Sequence, residues 1–401
     1  MPHEISLIST LAMGLAFAFF LGFIALRLGL SPLVGYLLAG MAVGPFTPGF
    51  VADGALTPQL AEIGVILLMF GVGMHFSVGD LMAVRSIALP GAVVQIAAAT
   101  ALGAGLASWW GWSLGAGLVF GLALSVASTV VLLRALEAGN VLHSDNGRIA
   151  VGWLIVEDLV MVLTLVLLPA LAGLLDGKPS GGAESSNVAV ALGVTLFKVA
   201  TFIGFMLLFG RRLFPWLLKR VESTGSRELF TLAVVAIALG VAFGSAKLFD
   251  VSFALGAFFG GVVINASDVS HRAATDLKPL EDIFAVLFFV SVGMLFDPGI
   301  LVRQPFQVLA AVGIILVGKS VAAAVIVLAL GRPLDTALMV SAALAQIGEF
   351  SFILGGLGVS LGLLPSEGYN LILAGALLSI ILNPFIFQFA ATLRPSPGPA
   401  V

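Results

Sequence analysis

The stretch Ile149-Ala-Val-Gly-Trp-Leu-Ile-Val-Glu-Asp-Leu-Val-Met-Val-Leu-Thr-Leu-Val-Leu-Leu-Pro169 carries two adjacent carboxylates, Glu157 and Asp158, inside an apolar run. About 20 apolar residues are enough for a helix to cross a bilayer, so this stretch predicts a membrane span. A charged side chain at the bilayer centre costs about 3 kcal/mol even on the mildest insertion scale. Two neighbouring carboxylates at that depth therefore indicate an ion or proton site that water can reach.

The composition of the whole chain predicts the same class of protein. Of its 401 residues, 60% are hydrophobic and only 10% are charged, and the mean hydropathy is +1.16. A soluble domain has about 25% charged residues, so we expect an all-α polytopic membrane protein whose main partner is the lipid bilayer. The net charge of −3 argues against a nucleic-acid partner, and the lack of cysteine excludes disulfides and cysteine-based metal sites.

The apolar segments follow one another along the chain and predict about 13 transmembrane helices. Their centres lie near residues 16, 40, 67, 98, 125, 160, 198, 236, 257, 288, 318, 348 and 380. The basic stretch Arg211–Arg227 predicts a short amphipathic helix at the membrane interface. Residues 394–401 predict a tail or the start of a truncated linker.

The distribution of basic residues predicts the orientation of these helices. With the N-terminus outside, 13 of the 18 Lys and Arg residues lie at the inner ends of the helices and 4 at the outer ends, while Lys319 lies within a helix. Cytoplasmic loops carry the excess of positive charge. We therefore expect a multi-pass protein of the bacterial inner membrane, with its N-terminus outside and its C-terminus in the cytoplasm.

Two halves of the chain resemble each other at one nearly constant offset. The aligned stretches, offset by 220 or 221 residues, are Ser31–Gly40 with Ser252–Gly261, Ile63–Phe76 with Ile283–Phe296, and Ala123–Thr129 with Ala343–Glu349. Seven predicted helices separate the members of each pair, and this odd number predicts two inverted repeats, an architecture of secondary transporters. We expect residues 1–210 to form the first repeat with a linker helix and residues 226–393 to form the second.

Polar residues near the centres of four predicted helices indicate one site in the middle of the membrane. Asp158, Lys319 and the segments Ser125–Thr129 and Gln346–Glu349 share this depth. The two segments correspond in the two repeats, and they predict discontinuous, crossing helices whose free peptide groups face a cavity. The alternative is that both helices are continuous and that their hydroxyl groups bond to the preceding turn.

Asp158 is the predicted carrier, because a buried carboxylate can hold a cation or a proton, and the two compete. A dehydrated monovalent cation needs several oxygen ligands, and one carboxylate supplies at most two. We expect Ser125, Ser128, Thr129 and backbone carbonyls to supply the remaining ligands of a cation at Asp158.

Four further polar residues are expected around this site. Glu157 lies about 100° around the helix from Asp158, so it is expected beside the ion or as a neutral acid. Lys319 is the expected counter-ion of Glu157 or Asp158, and Glu349 and Gln346 are expected to cap a half-helix or to join this network. Purely structural roles for Lys319 and Glu349 stay open as alternatives.

These motifs resemble those of the monovalent cation:proton antiporter-2 family, the Kef-type potassium/proton antiporters, and most closely its YbaL branch. The stretches that carry the resemblance are Gly152–Val160, Ser125–Thr129, Gly256–Gly260, Ser291–Met294 and Gln346–Phe350. The resemblance covers essentially the whole chain and implies a homodimer in which each subunit has a dimerisation domain and a mobile core domain. It also implies that Asp158 is the ion-site aspartate and that Lys319 is the core lysine.

Two features depart from the pattern of that family. Kef-type proteins generally carry Gln at the position of Glu157, which leaves the charge stoichiometry and the choice of ion open. Many also continue into a regulatory domain that binds a nucleotide, whereas this sequence shows no glycine-rich dinucleotide motif after a strand. We therefore expect no cofactor in this chain, with K⁺ or Na⁺ and H⁺ as substrates, and a nucleotide only where a C-terminal regulatory domain follows.

The favoured function is exchange of a monovalent cation, K⁺ rather than Na⁺, for protons by alternating access. A cation channel is the second candidate, but channels use repeated carbonyls or charged rings, and a single buried aspartate suits a competitive carrier. A membrane enzyme needs acid, base or nucleophilic groups near a surface, so no enzymatic activity is expected. A sensor without transport would not require an ionisable group at the middle of the membrane.

Overall fold

The described part of the chain is helical, as the hydropathy pattern predicts. A computed structural model describes residues 6–54, 56–75, 78–142, 144–175, 187–249 and 251–393, and it contains no strand within them. The α-helices are α1 (Ser6–Arg27), α2 (Pro32–Ala42), α3 (Leu56–His75), α4 (Val78–Trp109), α5 (Leu114–Ser125), α6 (Thr129–Ala138), α7 (Asp145–Leu175), α8 (Asn187–Phe205), α9 (Arg211–Glu222), α10 (Arg227–Phe249), α11 (Phe253–Asn265), α12 (Ser270–Met294), α13 (Ile300–Arg303), α14 (Pro305–Gly313), α15 (Lys319–Ala329), α16 (Leu334–Ala343), α17 (Glu349–Ser360) and α18 (Ser366–Thr392). Two π-helical turns, Met206–Gly210 and Ile314–Gly318, join α8 to α9 and α14 to α15.

Eight helical stretches within the described residues are long and apolar enough to cross a membrane. They are Leu7–Arg27, Leu56–His75, Val84–Trp109, Leu114–Leu133, Asp145–Pro169, Arg227–Phe249, Pro305–Ala329 and Ser366–Thr392. Shorter apolar helices include α2, α11, α16 and α17. Every centre that the hydropathy pattern predicts falls inside a helix or a π-helical turn, or at a helix break. The prediction of an all-α polytopic membrane protein is therefore confirmed.

The fifth and twelfth predicted spans are each interrupted in the middle. The first break, residues 126–128, separates α5 from α6, and Ser128 is the extended N-cap residue of α6. The second break, residues 344–348, separates α16 from α17, which begins at Glu349 after the extended residue Gly348. The prediction of discontinuous helices is confirmed, and two continuous helices are excluded.

The helices form two packed groups. In the first group, α2 packs against α1 and α12, and α3 packs against α11 and α12. In the second group, α4 packs against α5, α7 and α15, and α16 packs against α15 and α18. Gly40 of α2 approaches α12 so closely that a Cβ atom at Gly40 would lie 2.7 Å from the Gly293 Cα atom. Small residues thus allow the close packing that membrane helices require.

The predicted amphipathic helix is present as α9. Its Lys219 pairs with Asp268 at 2.6 Å, and its Glu222 pairs with Arg272 at 3.1 Å, so ion pairs link α9 to the start of α12. The hydrogen bond from Lys219 also lowers the pKa of the exposed Asp268 carboxyl. The location of α9 at a membrane interface stays a prediction.

Candidate ion-binding site

A cavity of about 590 Å³ lies between the two helix groups. Residues of α2, α3, α11 and α12 line one side, and residues of α6, α7 and α17 line the other. Lys278 and Asp282, whose side chains are more than half exposed, are among the residues that line the cavity. Asp158, Thr129 and Glu349, at the two interrupted helices, line it as well. The cavity is thus lined both by exposed charged side chains and by the buried carboxylates of Asp158 and Glu349.

Asp158 lies near the middle of α7, and only 7% of its surface is exposed. Its Oδ2 atom accepts a hydrogen bond of 3.4 Å from the Thr129 hydroxyl, which belongs to the first residue of α6. Its Oδ1 atom has no hydrogen-bond partner among the described residues. A buried carboxylate oxygen without a donor has lost its hydration and gained nothing in exchange, so this atom is suited to bind a cation or a proton.

Glu157 is fully buried and turns away from the cavity that Asp158 lines. Its Oε2 atom accepts a hydrogen bond of 2.7 Å from the backbone N–H of Ala127, in the first break. That N–H has no partner within a helix because the chain is extended there. Glu157 is therefore placed as an anchor for the break, and its role in binding an ion or a proton stays a prediction.

Lys319 follows the π-helical turn Ile314–Gly318 and is fully buried. Its Nζ atom donates a hydrogen bond of 3.0 Å to the carbonyl oxygen of Gln346, in the second break. The ion pairs within 4.0 Å among the described residues do not include one between Lys319 and Glu157 or Asp158. The structure thus gives Lys319 a backbone partner, while the charge of Glu157 acts on it from farther away.

The two breaks cross in direct contact. The Gln346 side chain accepts a hydrogen bond of 2.8 Å from the Ser128 N–H and donates one of 3.1 Å to the Ser128 carbonyl oxygen. Gly348 lies so close that a Cβ atom there would sit 2.5 Å from the Ser128 Cα atom. Only glycine permits this approach without displacing backbone, so Gln346 and Gly348 together fix the crossing.

Glu349 and Ser125 differ in their relation to the cavity. Glu349, only 2% exposed, is the first residue of α17 and lines the cavity beside Asp158. Its Oε2 atom has no hydrogen-bond partner among the described residues. Ser125 does not line the cavity, and its hydroxyl donates to the Leu122 carbonyl oxygen of its own helix at 2.7 Å.

Three residues that the sequence reading passed over bind the peptide groups of the interrupted spans. Gln95 of α4 donates to the Ser125 carbonyl oxygen at 3.0 Å. On α18, Ser379 accepts a hydrogen bond from the Ile347 N–H at 3.4 Å, and Asn383 donates to the Ala342 carbonyl oxygen at 2.9 Å. The sequence feature that could have identified these residues is a polar side chain in the middle of an apolar run. For Ser379 and Asn383, the spacing of four residues also places both side chains on one helix face.

The site is rich in oxygen atoms that could bind a cation or a proton. Within the described residues there is no group of three or more His, Cys, Asp or Glu side chains that could hold a metal ion. The oxygen atoms around Asp158 in the cavity come from two carboxylates and the Thr129 hydroxyl group. Such oxygens bind hard cations, and they also bind protons.

Comparison with known proteins places the chain in a family. The model of the sodium/hydrogen exchanger transmembrane family matches residues 15–392. A relative named "Putative cation/proton antiporter YbaL", from Escherichia coli (strain K12), is 63% identical over 96% of this chain and 69% of its own length. "K(+) efflux antiporter 4" from Arabidopsis thaliana is 36% identical over 90% of this chain and 60% of its own length.

A solved structure has the same fold at low sequence identity. The sodium proton antiporter MjNhaP1 from Methanocaldococcus jannaschii superposes with a TM-score of 0.71 at 16% identity, over 96% of this chain and 98% of that one. The family match, the relatives and the crossed, interrupted helices agree with one another. This chain belongs to the sodium/hydrogen exchanger family of transmembrane antiporters.

Proposed function

We propose that this chain exchanges K⁺ for H⁺ across the membrane by alternating access, with Asp158 binding the cation and the proton in turn. The observation that carries the proposal is that Asp158 lines the cavity and that its buried Oδ1 atom has no hydrogen-bond partner among the described residues. When the cation leaves, this carboxylate is left charged in a poorly hydrated site, and a proton restores neutrality. We assign no enzymatic step to the chain.

K⁺ is favoured over Na⁺ by two considerations. The relative from Arabidopsis thaliana carries K⁺ efflux in its name, and K⁺ holds its water less tightly than the smaller Na⁺, so it costs less to dehydrate at a buried site. An Na⁺/H⁺ antiporter with the same fold is the alternative. The likeness to MjNhaP1 concerns the fold alone and does not choose between the two ions.

A carrier opens its binding site to one side of the membrane at a time, and this distinguishes it from a channel. A channel is the weaker alternative for this chain. We take the exposed Lys278 and Asp282, which line the cavity together with Asp158, as the mouth of that cavity. Elsewhere between the groups, α2 and α12 meet α18 around a space of about 10 Å³. That space is lined by apolar side chains, among them Leu37, Val292 and Leu373. In the proposed cycle this apolar contact opens while the mouth near Lys278 closes.

The inverted repeat remains our proposal for the organisation of the chain, with residues 1–210 and 226–393 as its two units. The contact of α2 with α12 brings Gly40 against Gly293. The aligned glycines make the equivalent contact, because a Cβ atom at Gly261 of α11 would lie 3.0 Å from the backbone carbon of Gly73 in α3. Because α2 aligns with α11 and α3 aligns with α12, the pair α2–α12 corresponds to the pair α11–α3. A pseudo-two-fold axis between the repeats produces such equivalent pairs.

The membrane orientation and the assembly also belong to the proposal. We place the protein in a bacterial inner membrane with its N-terminus outside, so that the mouth near Lys278 opens to the cytoplasm. This follows the excess of Lys and Arg at the inner helix ends. A homodimer is proposed from the family resemblance.

The test is exchange by the purified protein in proteoliposomes with an internal pH dye, to which K⁺, Na⁺, Rb⁺ and Li⁺ are added in turn. We expect K⁺, and Rb⁺ as the ion most like it, to drive proton movement in the wild type, and Asp158→Asn to abolish it. A response to Na⁺ and Li⁺ alone would favour the alternative ion. Wild-type exchange by Asp158→Asn would overturn the assignment of the carrier.

A further inference from the structure

We propose that Glu349 is a second direct ligand of the transported monovalent cation, which is therefore bound between two carboxylates. The inference rests on the proposed exchange function. Glu349 and Asp158 line the same cavity, one from α17 and the other from α7. They are 2% and 7% exposed, and each has one carboxylate oxygen without a hydrogen-bond partner.

The Thr129 hydroxyl holds one of these carboxylates in place. It donates to the Oδ2 atom of Asp158 at 3.4 Å. The oxygens that have no hydrogen-bond partner among the described residues are Asp158 Oδ1 and Glu349 Oε2. These two oxygens are the ligands that we assign to the cation.

The electrostatics of the pair favour a bound cation. The charges of Asp158 and Glu349 act on each other, and both side chains are buried. Two like charges in a poorly hydrated site repel each other, and a cation between them relieves both. The positive N-terminal end of α17 stabilises the negative charge of Glu349 in the same position. The cation would then bridge the uninterrupted helix α7 and the interrupted span of α17.

A structural role for Glu349 makes a different prediction from a ligand role. An acidic residue in the first turn of a helix stabilises the helix through its dipole, and Asp does this as well as Glu. If Glu349 only stabilises α17, Glu349→Asp should leave cation affinity unchanged. If Glu349 binds the cation, the shorter side chain of Asp moves the carboxylate away from the ion and weakens binding.

The experiment measures exchange in proteoliposomes as a function of K⁺ concentration at fixed pH, with choline chloride holding the ionic strength constant. We expect Glu349→Gln to raise the KM for K⁺ by about tenfold or more, as when a metal site loses a coordinating interaction, with a smaller change in maximal rate. Glu349→Asp should raise the KM by a smaller factor. The matched control is Glu367→Gln, which removes an acid from the first turn of α18, outside the cavity.

The outcomes separate this inference from the proposed function. A wild-type KM in Glu349→Gln or in Glu349→Asp overturns the role of Glu349 as a ligand. Should Glu349→Gln fail to fold, as judged by gel filtration in detergent, Glu349→Asp decides in the same way. Wild-type exchange by Asp158→Asn, measured in parallel, overturns the proposed function instead. If the wild type responds only to Na⁺, the same titration is carried out with Na⁺.

Discussion

The two breaks correspond in the two halves of the chain but differ in their chemistry. At the offset of 220 residues, the Ala127 N–H of the first break corresponds to the Ile347 N–H of the second. Glu157 of α7 accepts the first of these hydrogen bonds, and Ser379 of α18 accepts the second. The first break thus uses a charged acceptor where the second uses a neutral one.

The carbonyl groups show the reverse arrangement. In the first interrupted span the neutral Gln95 of α4 donates to the Ser125 carbonyl oxygen, and in the second the charged Lys319 of α15 donates to the Gln346 carbonyl oxygen. Each interrupted span therefore has one charged partner on a neighbouring helix, and the two charges have opposite signs. The difference teaches that the repeated backbone needs partners for its free peptide groups in both spans, whereas the charges are placed once, as a complementary pair.

The largest difference between the two halves is Asp158, the proposed carrier, because the aligned position on α18 is Leu378. We expect Asp158→Asn to abolish cation-driven proton movement while folding is retained, because the amide keeps the shape but cannot take up and release a proton. The matched control is Asp145→Asn on the same helix, where the side chain is 83% exposed. Gel filtration checks folding and the pH-dye assay checks exchange. Residual exchange near the wild-type level would mean that the carrier lies elsewhere.

Lys319→Ala is expected to have the second largest effect, which is a loss of thermal stability rather than a loss of exchange. The variant leaves the Gln346 carbonyl without its donor and removes the positive charge that acts on Glu157. Leaving a buried charge uncompensated costs about 3 kcal/mol or more. Protonation of Glu157 at low pH removes that charge, so the loss of thermal stability should be larger at high pH than at low pH.

Thermal unfolding in detergent over a pH series measures this effect. Lys319→Gln is the matched control for the hydrogen bond, because it keeps a donor and removes only the charge. The Lys319→Ala loss should also shrink in a Glu157→Gln background, where no negative charge needs compensation. Equal stability of wild type and Lys319→Ala at every pH would show that the two breaks are not coupled through charge.

The fold, and the burial of Asp158 beside the interrupted helices, could be predicted from the sequence, because apolar runs and buried charges act at short range along the chain. The apolar runs predict the helices, and the motifs Ser125–Thr129 and Gln346–Glu349 predict where two of them break. The partners of the free peptide groups could not be predicted. Gln95 binds a carbonyl 30 residues away, and which helix face meets which break depends on packing that one sequence does not display.

The N–H groups of Ala127 and Ile347 are equivalent but have different acceptors, so substitution of each acceptor tests the difference between the two breaks directly. Ser379→Ala removes the neutral acceptor of the second break, and we expect a loss of about 1 kcal/mol in stability, the usual value for one hydrogen bond. Glu157→Gln keeps an acceptor oxygen in the first break but leaves the buried charge of Lys319 uncompensated, so its loss should be larger, about 3 kcal/mol. Thermal unfolding of the two variants and their double mutant measures both. An equal or smaller loss in Glu157→Gln would mean that its hydrogen bond, and not its charge, holds the first break.

The smallest effect is expected at Thr129, where the first break touches the carrier directly. Valine has the shape of threonine but lacks the hydroxyl that donates to Asp158 at 3.4 Å. Loss of one such hydrogen bond is worth about 1 kcal/mol, or about fivefold in affinity. Thr129→Val should therefore raise the KM for the cation about fivefold and lower the maximal rate less. Thr164→Val is the control, because that hydroxyl donates only to the Val160 carbonyl oxygen of its own helix. A lower maximal rate with an unchanged KM would instead place Thr129 in proton release or in the conformational change, since cation binding would then not depend on its hydroxyl.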